Sequence, residues 1–382
     1  MTDSPSPAPA SDVSREAVLA ALATVNDPDI RRPLTELGMI DNLTVCGGNV
    51  RFEIKLTTTA CPLKQKIRED AEAAVRVVPG VSAVHAEFSS KTVTLGAKPP
   101  AQAPIEGIRN IIAVSSGKGG VGKTTVAVNL ACAMAAEGAR VGILDADIYG
   151  PNVPLMMGLG GAKLAQDLPT GKLLPPESHG VKVISMAFLV KDNQPVVWRG
   201  PMLDKVIRQF LTDVAWGELD YLIIDLPPGT GDAQLTIIQA TPVVGAVIVT
   251  TPQPVAILDS RKGLAMFANA NVPIFGIVEN MSYYPLPDGS RDYLFGSGGG
   301  EAAARELDVP FLGALPLHSR LRSEADEGRP IVVSDPESDS ASILRGVAHQ
   351  VVAQICARGL SDASAPAALQ PCAEPSTCGV TH

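Results

Sequence analysis

Aromatic side chains are scarce, at 4% of 382 residues, although 46% of the chain is hydrophobic. The core must therefore be built from Ala, Val, Leu and Ile, the composition of an α/β protein. Basic excess is also missing. The net charge is −9 with no run of Lys or Arg, which argues against nucleic acid as a main partner. No apolar run is long enough to cross a membrane, and the opening MTDSPSPAPASD has neither the basic nor the apolar region of a signal peptide. The expectation is a cytoplasmic protein that contacts no membrane.

Cysteine is sparse too: six in a chain of this length exclude a disulfide framework. Cys132 and Cys356 lie in apolar helical surroundings and read as small core residues. Cys46 sits beside the Gly47-Gly48 turn. Cys61, Cys372 and Cys378 stand apart from these.

What the chain does have is a phosphate-binding signature. Residues 111–125 read IIAVSSGKGGVGKTT: a buried strand from Ile111 to Val114, the pattern G-x-x-x-x-G-K-[ST] from Gly117 to Thr124, then an Ala-rich helix from about Lys123 to Glu137. Gly119, Gly120 and Gly122 are expected to take positive φ, so that successive N–H groups turn inward on a nucleotide's phosphates. Val121 and Thr125 complete the loop, and the helix adds its dipole. Lys123 should reach the β- and γ-phosphates, and the Thr124 hydroxyl should bind Mg²⁺. The second loop lysine, Lys118, reads from local sequence as a solvated side chain.

The length predicts two domains. Residues 1–13 are Pro-, Ser- and Ala-rich and are expected to be disordered. From Ser14 a small α+β unit extends to about residue 97. It comprises a helix over SREAVLAALATV, a hairpin turning at Gly47-Gly48 with one wet face, a helix opening at Pro62, and a further strand or two between Val81 and Leu95. The Pro-rich stretch 98–107 reads as a linker. Residues 108–358 alternate short apolar runs with helices, the pattern of a mostly parallel sheet covered on both faces. The last helix should run from about Ser342 to Ala357, with a flexible tail over 359–382.

Three strand ends carry acids where the crevice of a parallel sheet opens. YLIID ends in Asp225, the setting of a carboxylate that holds Mg²⁺, and PPGTGD follows as a segment suited to sensing a terminal phosphate. LDAD places Asp145 and Asp147 two residues apart, on one side of an extended chain. Acids in such positions also cap helices. Asn280, at a fourth strand end, would equally suit a turn.

The K-G-G-V-G-K-T-T loop resembles the deviant Walker A motif of the MinD, ParA and nitrogenase-iron-protein ATPases. That resemblance implies that Lys118 crosses a dimer interface to the partner's nucleotide, that Asp147 orients or deprotonates the attacking water, that Asp145 lies in the outer shell of Mg²⁺, and that Asn280 reads adenine. DPDI, LGMI, LTTTACP and PGV in the first unit resemble the MIP18-like domain, which is associated with iron-sulfur assembly. DADIYGPN, WRGPM, DLPPGTGD, TTPQ, ENMSYY and FGSGGG then extend the likeness to the Mrp/ApbC iron-sulfur cluster carrier ATPases over roughly residues 14–358. It implies a P-loop NTPase preceded by a MIP18-like domain: a homodimer that hydrolyses ATP with Mg²⁺ and delivers a [4Fe-4S] cluster to apoprotein clients. A MinD- or ParA-like positioning ATPase and a nucleotide-switched scaffold are the alternatives.

The chain departs from that family in one segment. Where members commonly carry Cys-x-x-Cys, residues 283–295 hold no cysteine, and Asp288 and Tyr284 are poor substitutes for sulfur on iron. Cys61, between a strand and a helix N-terminus, is then the first candidate cluster ligand, its thiolate favoured by the helix dipole, unless it simply packs under that helix. Cys372 and Cys378 come next.

Overall fold

The computed structural model describes residues 13–28, 31–46, 48–56, 63–90, 104–148, 150–189 and 200–363. Cys61, Trp198, Cys372 and Cys378 lie outside them.

In the first unit, Ser14 caps the Arg15–Leu22 helix by accepting from the Ala17 N–H, and Val18 and Leu22 are buried. Strands Ile40–Cys46 and Asn49–Leu56 form the antiparallel hairpin, with Val45 opposite Val50. Val50, Phe52, Ile54 and Leu56 point inward, while Arg51 pairs with Glu87 and Lys55 with Asp41 on the wet face. Among the described residues one strand, Ala83–Ser90, follows the Lys64–Arg76 helix in this unit and pairs in parallel with Asn49–Leu56.

The second unit is built on an eight-stranded sheet. From one edge its order is Phe311–Ala314, Ile274–Glu279, Val243–Thr250, Ile108–Ser116, Leu219–Asp225, Val141–Asp145, Val181–Ser185 and Glu177–Ser178. Only the last, a two-residue edge strand, runs antiparallel to its neighbour. The strand entering the glycine-rich loop is central and longer than its apolar run, because Ile108 to Asn110 already pair with Leu219 to Tyr221.

Alternation along these strands fills two cores. Ile112, Val114, Tyr221 and Ile223 pack towards the helices Lys123–Ala136 and Asp339–Ala363. Ile111, Ala113, Leu222 and Ile224 pack towards Gly200–Thr212, Asp232–Ala240 and Pro254–Asn269. Because both faces are covered, the strands read as continuous hydrophobic runs.

The final helix spans Asp339–Ala363 and so takes up the first residues expected in the tail. Cys132 and Cys356 are buried, as their surroundings suggest. No described helix is long and apolar enough to cross a membrane.

Gly245 shows how tightly side chains of neighbouring strands pack. A Cβ there would lie 2.2, 2.4 and 2.6 Å from three ring atoms of the buried Phe275. Gly245→Ala should therefore destabilise the fold by roughly 1–3 kcal/mol through overpacking, read as a lower urea midpoint at unchanged slope.

Candidate functional site

The sheet brings the predicted acids together by register. Asp225 pairs with Val114 on one side and Asp145 on the other, and Asp145 pairs with Ser185. Both carboxyl groups are withdrawn from water. Asp145 is pushed up to about 8 by burial and by the charge of Asp225, against the pull of the Ser185 hydroxyl and Lys123. Asp225 is raised by burial, with Lys123 and Thr124 opposing.

Lys123 is the cation that answers them. Its Nζ lies 2.7 Å from Asp225 Oδ1 and 3.6 Å from Asp147 Oδ2. The Thr124 hydroxyl donates to the other Asp225 oxygen at 2.7 Å. Lysine, threonine and aspartate are thus tied into one knot at the start of the Lys123–Ala136 helix.

The loop above is shaped by its glycines. Gly120 and Gly122 have φ of 78° and 83°. Gly119, expected to match them, does not take positive φ, and an added Cβ there would only touch Pro228 at 3.9 Å. Gly117 is required by proximity instead, since a Cβ would lie 2.3 Å from the Asp259 backbone. Lys118 lines the cleft, and its Nζ donates to Gln253 Oε1 at 3.0 Å.

Asp145 and Asp147 part company. Asp147 lines the cleft and accepts from the Gly150 N–H. Asp145 accepts from Ser185 Oγ, the Asp147 N–H and the Val153 N–H. It therefore anchors the turn that carries Asp147, and also caps the Val153–Met156 helix.

Asn280 is committed in part. Its Nδ2 donates to the Val121 carbonyl at 2.9 Å and its Oδ1 accepts from the Met281 N–H. A Cβ on Gly122 would lie 2.1 Å from Nδ2. The side chain thus braces the loop from within the chain.

The cleft enclosed by these groups has a volume of about 750 Å³, within the range of small-ligand sites. Its far wall is Met281, Pro316, Leu317, Leu321, Arg322 and Ala325. Sequence reading missed this wall because no motif marks it, and the Ser319–Asp326 helix reaches the cleft only through the tertiary fold. Gln253 and Ser185 were also missed, although Gln253 ends the TTPQ motif and Ser185 ends the Val181–Ser185 strand.

The site fits a nucleotide with Mg²⁺. Gly120 and Gly122 hold the loop in positive φ over the cleft, and Thr124 and Asp225 offer paired hard oxygens beside the Asp147 carboxylate, with Lys123 the cation among them. Among the described residues no group of three or more His, Cys, Asp or Glu could hold a metal ion.

Comparison with known proteins accords with this geometry. A family model described as NUBPL iron-transfer P-loop NTPase matches residues 107–352, and one described as iron-sulfur cluster assembly protein matches residues 15–88. An iron-sulfur cluster carrier protein of Synechocystis is 54% identical over 347 residues, covering 90% of this chain and 98% of the relative. The protein of that name from Escherichia coli K12 is 42% identical over 347 residues, 90% of this chain and 93% of its own. Among solved structures, a nucleotide-binding protein from Archaeoglobus fulgidus in complex with ADP matches with a TM-score of 0.54 at 43% identity, over 62% of this chain and 92% of that one. With a central glycine-rich loop, a knot of lysine, threonine and aspartate beneath it and relatives along nearly its whole length, the chain belongs to the iron-transfer P-loop NTPase family.

Proposed function

We propose that this protein is an ATP-hydrolysing iron-sulfur cluster carrier acting as a homodimer in the cytoplasm. The observation that carries the reading is the Lys123, Thr124 and Asp225 knot at the floor of a nucleotide-sized cleft.

On this reading the N–H groups of the 117–125 loop receive the phosphates, and Lys123 exchanges Asp225 for the β- and γ-phosphate oxygens. Thr124 and Asp225 would hold Mg²⁺, which would offset the phosphate charge. Asp147 orients the attacking water and takes its proton. The water oxygen bonds to the γ-phosphorus as the bond to the β,γ-bridging oxygen breaks, leaving ADP and phosphate. Asp145 fixes the turn that aims Asp147. The apolar wall at Met281, Pro316 and Leu317 takes the base, with Asn280 at its edge.

Lys118 acts across the dimer, where it meets charge developing in the transition state. Val255 and Leu258, 64% and 59% exposed, follow its partner Gln253 in sequence, and Met202 of the WRGPM segment is 50% exposed. These side chains belong to the proposed contact.

The cargo needs thiolates. Cys132 is pushed up to about 12 by burial and Cys356 is also buried, so neither suits iron. The candidates taken from the sequence, Cys61, or Cys372 with Cys378, hold the cluster that passes to apoprotein clients on this reading.

Lys123→Ala should abolish ATP binding, whereas Lys118→Ala should bind ATP and lose most hydrolysis; equal turnover in Lys118→Ala and wild type would sink the role across the dimer. Light scattering should give twice the chain mass with a non-hydrolysed ATP analogue and Mg²⁺, and a monomer under that condition rules the dimer out. Anaerobic reconstitution should yield a labile, substoichiometric cluster that Cys61→Ser or deletion of residues 361–382 weakens further. If wild type shows no charge-transfer absorption, the carrier reading fails and a nucleotide-switched scaffold takes its place.

A further inference from the structure

The Asp232–Ala240 helix has an anomaly. Ile237 and Ile238 enter the apolar core as an amphipathic helix requires, yet Gln234 on the same helix is 1% exposed. A buried amide is costly unless its hydrogen bonds are made. Here they are made to two separate parts of the site.

Gln234 Oε1 accepts from the Ser115 hydroxyl at 3.2 Å. Its Nε2 donates to the Ser116 carbonyl at 3.4 Å and to the Pro227 carbonyl at 2.5 Å. Ser115 and Ser116 end the strand that enters the phosphate loop. Pro227 is two residues beyond Asp225 and opens the segment that runs to Asp232. One side chain therefore ties the phosphate-loop strand to the first residue of the phosphate-sensing segment.

Beyond that tie the segment changes character. Gly229 has φ of 96°, and a Cβ on Gly229 or Gly231 would meet nothing within 4 Å. The Gly229 N–H donates to the Ser116 carbonyl at 3.1 Å, the same oxygen that Gln234 uses. Pro228 lines the cleft beside Gly119. The turn is thus held to the phosphate-loop strand at Pro227 and at the Gly229 N–H, with open space around its glycines.

We infer that Gln234 is a positioning residue: it fixes the Pro227 carbonyl against the phosphate-loop strand and so aims the Pro228–Gly231 turn at the terminal phosphate. The inference rests on the hydrolysis reading above but predicts a backbone effect of its own. Gln234 touches no substrate. Its contribution falls on the step in which the turn must stand correctly, not on nucleotide affinity.

The test uses the full chain with Gln234→Met, which keeps length and apolar volume but removes every donor and acceptor except a weak sulfur. Ser115→Ala, which strips only the partner of Oε1, is the milder second variant and carries the test if Gln234→Met does not fold. Hydrogen exchange of residues 226–233 is followed with and without ADP, beside ADP affinity and steady-state ATP turnover. Gln234→Met should exchange this segment about tenfold faster while residues 117–124 stay protected, as expected when a buried carbonyl loses its donor. Its kcat should fall about tenfold or more, with KM and ADP affinity held within about twofold. Ser115→Ala should show the same pattern at smaller amplitude. Unchanged exchange of residues 226–233 in a folded variant overturns the inference, as does unchanged kcat in Gln234→Met that binds ADP normally. A wild-type protein that binds ADP but does not hydrolyse ATP overturns the hydrolysis reading instead, and the exchange measurement then still decides the role of Gln234.

Discussion

The site depends on one electrostatic constraint: Asp145 and Asp225 end adjacent parallel strands in register and are fully buried. Two carboxyl groups so placed repel each other and have lost their water, so other groups must answer them. Asp145 is satisfied by loop N–H groups and by Ser185. Asp225 is satisfied by Lys123 and Thr124. The lysine that the nucleotide reading assigns to phosphate thus has an internal anion to hold beforehand. On that reading, binding is an exchange of partners in which Lys123 moves to phosphate and leaves Asp225 and Thr124, which would hold a divalent cation. Such an exchange keeps the floor of the cleft charge-balanced, and a bare lysine over an empty loop would not.

The acid turn and the far wall of the cleft also meet. The Val153–Met156 helix, whose start Asp145 caps, closes through Gly158, and the Ser319–Asp326 helix closes through Gly328. Both glycines have positive φ, and a Cβ on Gly328 would lie 2.4 Å from Gly158 Cα. His179 Nε2 is 2.9 Å from the Gly328 carbonyl. The acid turn and the far wall of the cleft are therefore joined through backbone, with no room for a side chain between them.

Much of this was legible in the sequence because it is local. The run from Ile111 to Thr125 encodes strand, loop and helix by contiguous residue types, and Asp145, Asp147 and Asp225 are marked by the apolar runs they end. Asn280 was legible as a site position but not as a brace on Val121, since that bond spans 159 residues. The burial of Gln234 was illegible for a related reason. Its partners Ser115 and Ser116 precede it by more than a hundred residues, and a glutamine near a helix start reads locally as solvated. Gly119 shows the opposite error, a local rule carried too far, because a glycine-rich loop does not put every glycine at positive φ.

The segment from Tyr283 to Leu294 bears on where the cargo is held. Its base is stapled by Glu279, whose carboxylate accepts from the Ser282 hydroxyl on one side and from the Gly300 N–H on the other. Above the staple, Tyr284–Pro285 and Arg291–Asp292 pair as a small hairpin. The Arg291 guanidinium stacks 4.1 Å over the Tyr283 ring, and Tyr293 packs at its side. The hairpin satisfies its own polar groups at the base and turns Tyr284, Leu286, Tyr293 and Leu294 outward. Oxygen and aromatic carbon are poor partners for iron that prefers thiolate. In this chain, then, the excursion that leaves the cleft beside Met281 presents exposed Tyr, Leu, Asp and Arg side chains and no thiol, and on the carrier reading the cluster would be held by sulfur elsewhere. Coupling between nucleotide and cargo would then have to pass between separate parts of the protein instead of along one loop.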